Sequence, residues 1–234
     1  MSDTRPLPGW AQTLAVFDTE TTGIAAETTR IVSAHVSLLD EDGKVSEAHE
    51  WLINPGIEIP VVATSVHGIT TEFAVANGQD AATAIAEIMA VLEAHFDSGI
   101  PVVAYNASYD FTILDREAKR YGLSPLAHVR PIIDPLVIDK QVDRYRKGKR
   151  RLEDAAMHYG ITLDNAHEAS SDAIAAGRIA QALARVHGDK LDMSALALHD
   201  AQVSWAAEQA ASFAQYLKSQ GKTPYRDDGV WPVR

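Results

Sequence analysis

The 234-residue chain contains no cysteine, so disulfides and thiolate metal sites are excluded. No apolar run reaches the length of a bilayer span, which makes membrane insertion unexpected. The first ten residues, MSDTRPLPGW, lack the positive-then-apolar order of a secretory signal. The cytoplasm is the expected compartment. Positive charge is also scarce, with 21 Lys and Arg against 32 Asp and Glu and a formal net charge of −11. Such a chain does not coat nucleic acid indiscriminately, because phosphates need cationic partners. Nucleic acid would have to be met through a local basic patch or bound metal ions. One patch exists at RYRKGKRR, Arg144 to Arg151. It reads as a solvated helix end and loop, or as a phosphate contact.

A hydrophobic fraction of 46% is enough for a core. Leu14 to Phe17 is a short apolar strand. Ile31 to Leu39 alternates as a half-buried strand does, and Val45 to Ile53 follows after Asp42-Gly43, making a hairpin. Gln79 to Phe96 reads as a helix with Ile85, Ile88, Met89 and Leu92 on its apolar stripe. Ile100 to Ala104 and Arg130 to Ile133 read as strands. Helices are expected over Ala107 to Tyr121, after Asp134, over Leu152 to Tyr159 and over Ser170 to Val186. Asp134 reads as an N-cap. A hairpin followed by alternating helix and strand predicts a three-layer α/β fold on a mixed sheet. Residues 1–9 are expected to be a loose tail, 10–187 a catalytic domain and 188–234 a helical extension. The extension carries Leu191, Leu198 and Trp205 at seven-residue spacing, and packs on the core or on a partner chain. The oligomeric state is left open.

The chemistry lies in VFDTETTG, Val16 to Gly23. Asp18 and Glu20, two apart on a strand, point to one face, where like charges repel unless a cation intervenes. Asp110 lies early in the helix after the central strand, on the same face as Asn106. Asp172 opens a late helix, and His167, five residues earlier, belongs to the loop leading in. Asp18 and Asp110 both follow apolar strands, so both fall near the C-terminal sheet edge, where α/β sheets bind ligands. Four carboxylates and a histidine at one place suit two Mg²⁺ or Mn²⁺ ions and attack on a phosphodiester. Taken singly, each acid reads as a strand end or first-turn carboxylate. QTLAVF, Gln12 to Phe17, loosely matches a sliding-clamp-binding pattern. Its apolar side chains belong to the first core strand, which argues against that role.

FDTETTG, YNASYDFTIL and HEASSDA, in that order, resemble the three motifs of the DEDDh exonuclease family over about residues 10–187. The branch they most resemble is that of the proofreading subunits of bacterial DNA polymerase III. The resemblance implies a ribonuclease H-like fold, two Mg²⁺ or Mn²⁺ ions and 3′→5′ release of nucleoside 5′-monophosphates. It implies that Asp18, Glu20, Asp110 and Asp172 are metal ligands, Asp110 directly or through water, with His167 as general base. Thr21, Thr22 and Gly23 would receive the terminal nucleotide. His67, in SVHGIT, would face that nucleotide or merely pack a turn. Asn106 would contact substrate or cap its helix. Tyr105 is a departure, since many relatives carry His there. The implied partner is a single-stranded or frayed DNA 3′ end. RNA trimming, oligoribonucleotide degradation and proofreading within a polymerase complex are the alternatives.

Overall fold

The computed structural model describes residues 6–163, 166–223 and 229–234. A six-stranded sheet runs β4-β3-β2-β1-β5-β6. Strands β1 (Leu14–Thr21), β2 (Ile31–Leu39) and β3 (Val45–Asn54) form an antiparallel meander. The two-residue strands β5 (Val102–Val103) and β6 (Ile132–Ile133) continue it in parallel on the far side of β1. β4 (Gln79–Asp80) lies parallel to β3 at the other edge. The mixed three-layer α/β fold expected from the sequence is therefore borne out.

β1 is buried on both faces, and its alternation divides the core. Ala15 and Phe17 join a cluster with Ile85, Ile88 and Phe96 of α3 (Ala81–Asp97) and Phe111 of α4 (Ala107–Arg120). Leu14 and Val16 join the opposite cluster. It includes residues of α5 (Pro135–Val142), α6 (Leu152–Tyr159), α7 (Ala169–Val186), α8 (Gly188–Leu191) and α9 (Ala195–Ser219). The short helices α1 (Val61–His67) and α2 (Thr71–Asn77) cover the rest of β2 through Val32, Ile59 and Ala74. Leu14, Val16 and Phe17 have no solvent exposure, so the apolar side chains of QTLAVF belong to the core strand.

Helix α7 lies close on the sheet because of Gly177. A Cβ there would stand 2.5 Å from both Val16 and Leu39 side chains, nearer than atoms tolerate. At the far edge, α9 supplies what the free side of β6 lacks. His199 Nδ1 accepts from Ile132 N at 3.0 Å, Gln202 Nε2 donates to Ile132 O at 3.0 Å, and Gln202 Oε1 accepts from Asp134 N at 2.7 Å. An edge strand treated this way presents no open ladder for another chain. Trp231 returns to the core, only 6% exposed, with its ring 5.0 Å from that of His199.

Some local expectations shift. The expected helix from Gln79 begins at Ala81, because Asp80 accepts from Thr83 N at 3.0 Å as an N-cap. The expected strands Ile100–Ala104 and Arg130–Ile133 shorten to two residues each. Within the expected tail, Leu7 packs on the core, Gly9–Ala11 is a 3-10 turn, and residues 1–5 lie outside the described residues. The basic stretch is partly interior. Arg146 and Arg150 bind the fully buried Asp139 carboxylate, which also accepts from Tyr159 Oη at 2.6 Å.

Candidate active site

The acids meet where β1 outruns its neighbour. β1 pairs with β5 only at Ala15 and Val16, so Asp18 onward runs past the C-terminal end of β5. Asp18 and Glu20 project on one face, and Asp172, in the first turn of α7, lies over them. One carboxylate oxygen from each of these three lies within 4.8 Å of the others. Asp110 comes from α4, on the other side of the sheet. It is buried, and its Oδ1 accepts from Thr19 Oγ1 at 2.7 Å. Thr19, between the two acids of β1, points to the opposite face and holds the fourth. It was missed in the sequence, although an interleaved hydroxyl in D-T-E is a readable sign.

The electrostatics follow from this crowding. Burial is the main cause that lifts the Asp18 pKa well above the usual carboxylate range, and the charges of Asp110, Glu20 and Asp172 lift it further. Glu20 is raised to about 8, by burial and then by Asp172 and Asp110. Asp110 is raised to about 7 by burial, against the hydrogen bond from Thr19. Asp172 is raised to about 6 by burial, opposed by the His167 backbone N–H and side chain. The charges that lift Asp18 are those of its fellow acids. Hard oxygen donors that cannot all ionise together are the setting a divalent cation fits.

His167 stands in the turn before α7, with φ 68 and a side chain about half exposed. Its backbone N–H points at the Asp172 carboxylate, 3.3 and 3.4 Å away, and its Nε2 lies 3.7 Å from Glu153 Oε1. Glu153, on α6, was not anticipated. Asn106 takes the N-cap position of α4 with φ 65, yet its side chain makes no capping bond. Asp134 does that instead, accepting from Asn106 N and Ala107 N at 3.0 Å each, and from Leu136 N at 2.9 Å as the cap of α5. One buried carboxylate thus joins two helix starts.

The Thr21–Gly23 loop leaves β1 at a register shift after Glu20. Tyr109, which sequence reasoning missed, pins it. Its hydroxyl donates to Gly23 O at 2.5 Å and lies 2.6 Å from Thr21 Oγ1. Thr22 Oγ1 accepts from Arg30 N at 3.0 Å. Gly23 has ordinary φ, and a Cβ there would meet only Thr29 Oγ1, at 3.5 Å. Nothing inside the chain requires glycine at that point. His67 Nδ1 accepts from Ile69 N at 3.1 Å and its Nε2 is buried without a well-formed bond. Burial lowers its pKa, partly offset by the nearby Thr21 carbonyl, and His167 is close enough to lower it further. His67, His167, the Thr21 loop and the acids therefore border one another.

A family model described as exonuclease, RNase_T, matches residues 15–180. The chain belongs to this exonuclease family. Among curated relatives, the epsilon subunit of DNA polymerase III from Treponema pallidum is 30% identical over 158 residues, 67% of this chain and 69% of that protein. The PolC-type DNA polymerase III of Lacticaseibacillus paracasei is 27% identical over 181 residues, 77% of this chain. The chain spans only 12% of that relative's length. E. coli exonuclease I, solved as a zinc-bound form with single-stranded DNA, shares the fold at TM-score 0.64 and 22% identity, over 77% of this chain and 42% of that one. The resemblance to 3′→5′ exonucleases read from the three motifs is borne out at the level of the family. Among the described residues, no helix is long and apolar enough to cross a membrane.

Proposed function

We propose that this exonuclease removes nucleotides from single-stranded or frayed DNA 3′ ends and releases nucleoside 5′-monophosphates. The observation that carries the reading is the convergence of Asp18, Glu20 and Asp172 within 4.8 Å, with Asp110 beside them. These four would hold two Mg²⁺ or Mn²⁺ ions, Asp110 in part through water. Bound divalent cations there supply positive charge to the phosphate and ease ionisation of a water molecule. His167 takes the proton of the attacking water, and its half-exposed place at the mouth suits exchange with solvent. Water oxygen bonds to phosphorus while the bond to the preceding nucleotide's 3′ oxygen breaks, and that oxygen leaves with a proton. The Thr21, Thr22 and Gly23 loop receives the terminal nucleotide. Tyr109 keeps that loop in place, and His67 and Asn106 flank it.

The Treponema relative favours a second reading, a proofreading role beside a polymerase. Sugar choice separates DNA from RNA trimming, since a protein tells them apart at the 2′-hydroxyl. The cytoplasm is the compartment that either reading implies. The test is product analysis on end-labelled DNA and RNA oligonucleotides of matched sequence with Mg²⁺ or Mn²⁺. Stepwise shortening of DNA from the 3′ end with 5′-monophosphate products is expected. No cleavage of either polymer with either metal would overturn the assignment.

A further inference from the structure

A groove of about 620 Å³ opens at the start of α4, where Asn106 and Ser108 line it a few residues before Asp110. One wall is the C-terminal half of α9 and the other is α5 and the start of α4. Gln209 Nε2 ties the walls together by donating to Val137 O at 2.9 Å. The first turn of α4 joins the groove to the active site. Asn106 and Ser108 line the groove, Tyr109 holds the Thr21–Gly23 loop, and Asp110 stands with the acids.

Its lining is unlike the rest of an acidic protein. Lys140, Arg144 and Arg150 project from the α5 side. The acidic lining side chains are Glu208 and Asp134, and the Asp134 carboxylate is taken up by backbone N–H groups. Arg150 is committed to Asp139, whereas Arg144 is exposed and pairs with no carboxylate among the described residues. Opposite stand Phe213 and Tyr216, one turn apart on α9. They are 54% and 58% exposed, with rings 6.4 Å apart and 22° from parallel. The N-terminal half of α9 buries Leu198, His199 and Gln202, but its last turns bury no side chain and still carry two aromatics. Near-parallel aromatic faces across from cations are how proteins hold single strands without reading sequence.

We propose that this groove binds the single-stranded nucleic acid just upstream of the terminal nucleotide. Bases stack on Phe213 and Tyr216, and phosphates face Arg144. The inference rests on the exonuclease reading above and adds where the rest of the strand lies. It also gives α9 a second task besides closing the sheet edge.

The test uses the full chain, the Phe213→Ala/Tyr216→Ala double variant and Arg144→Gln. Substrates are a thymidine oligonucleotide of about 15 nucleotides, which can fill such a groove, and a dinucleotide, which leaves it almost empty. Stacking on each ring is expected to contribute roughly fivefold to a hundredfold in affinity. The double variant should therefore raise KM on the long substrate at least fivefold, with kcat and short-substrate kinetics unchanged. Arg144→Gln should reduce the slope of log KM against log salt by about 0.7, the value of one single-strand phosphate contact. A folded double variant with the parent's KM on the long substrate would overturn the proposal and leave the groove to a protein partner. If the double variant does not fold, an unchanged salt slope in Arg144→Gln has the same meaning. If the parent cleaves neither substrate, the exonuclease reading fails separately. Fluorescence anisotropy of the labelled long oligonucleotide in EDTA then decides the groove: binding lost in the variants supports it, and no binding by the parent overturns it. A uridine oligonucleotide run alongside distinguishes DNA from RNA as the bound strand.

Discussion

Carboxylates wholly or partly withdrawn from water stand in this molecule under two opposite conditions. Asp139 has no solvent exposure, but two arginines and a tyrosine hydroxyl surround it. Asp18, Glu20, Asp110 and Asp172 are pressed together, and the charges of the other three lift the Asp18 pKa. The first set is complete within the chain. The second is an interior demand for positive charge, since an isolated buried ion costs more than its neighbours' hydrogen bonds return. The difference teaches that burial of an acid does not by itself mark a site. Crowding of several half-buried acids without an arginine or lysine paired to them among the described residues does.

The strongest way to break the comparison is Asp18→Asn. Hydrolysis should fall below detection, while the thermal midpoint should hold or rise because a repulsive charge is gone. A variant with parental activity would remove Asp18 from the site. Next, His167→Ala should lower kcat by about 10²–10⁴-fold, the usual worth of an acid–base group. Divalent-metal binding by calorimetry should stay unchanged, and loss of metal binding would give His167 a different task. Asp139→Ala should act on the other set. It leaves two arginines facing an interior without their anion and should cost about 3–5 kcal/mol of stability in denaturant unfolding, with activity per folded molecule retained. A cost below about 1 kcal/mol would mean that solvent already shields the arginines.

The smallest expected effect is on pH dependence. Glu20 is raised to about 8 from an ordinary value of 4.5, and Asp110 and Asp172 to about 7 and about 6. Between the unfolded and folded values, the folded chain holds protons that the unfolded chain has released. Stability in EDTA should therefore fall as pH rises from about 4.5 to 8, by a few degrees in midpoint. Added Mn²⁺ should stabilise more at pH 8 than at pH 5, because ions replace protons that have already left. An EDTA midpoint that rises through that window would contradict the assigned shifts.

Much of this was readable in the chain because the signals are local. A period of two puts Asp18 and Glu20 on one face, apolar runs mark β1 and β2, and Ile85, Ile88 and Leu92 mark α3. The three motifs come in order along the chain. What escaped needs contact between distant segments. Arg146 and Arg150 looked like surface charge, since nothing local shows them turning inward to Asp139. Tyr109 looked like a helix aromatic, and only the fold brings it to Gly23, 86 residues away in sequence. Asp134 was readable as the cap of α5, but not as the cap of α4 as well. The strands β5 and β6 are so short because Asn106 and Asp134 turn the chain into helices at once.

Gly177 lets α7 lie against Val16 and Leu39, and that contact sets the height of Asp172 above β1. The site is therefore assembled from the earliest and the latest parts of the fold. During synthesis, a ribosome-bound chain carries Asp18 and Glu20 long before Asp172 exists. Until α7 has emerged and seated, such a chain holds an incomplete acid cluster and no placed base. On the proposed reading, a nuclease built in this order is inert while unfinished, and a cut between α6 and α7 that lets α7 depart would silence it again.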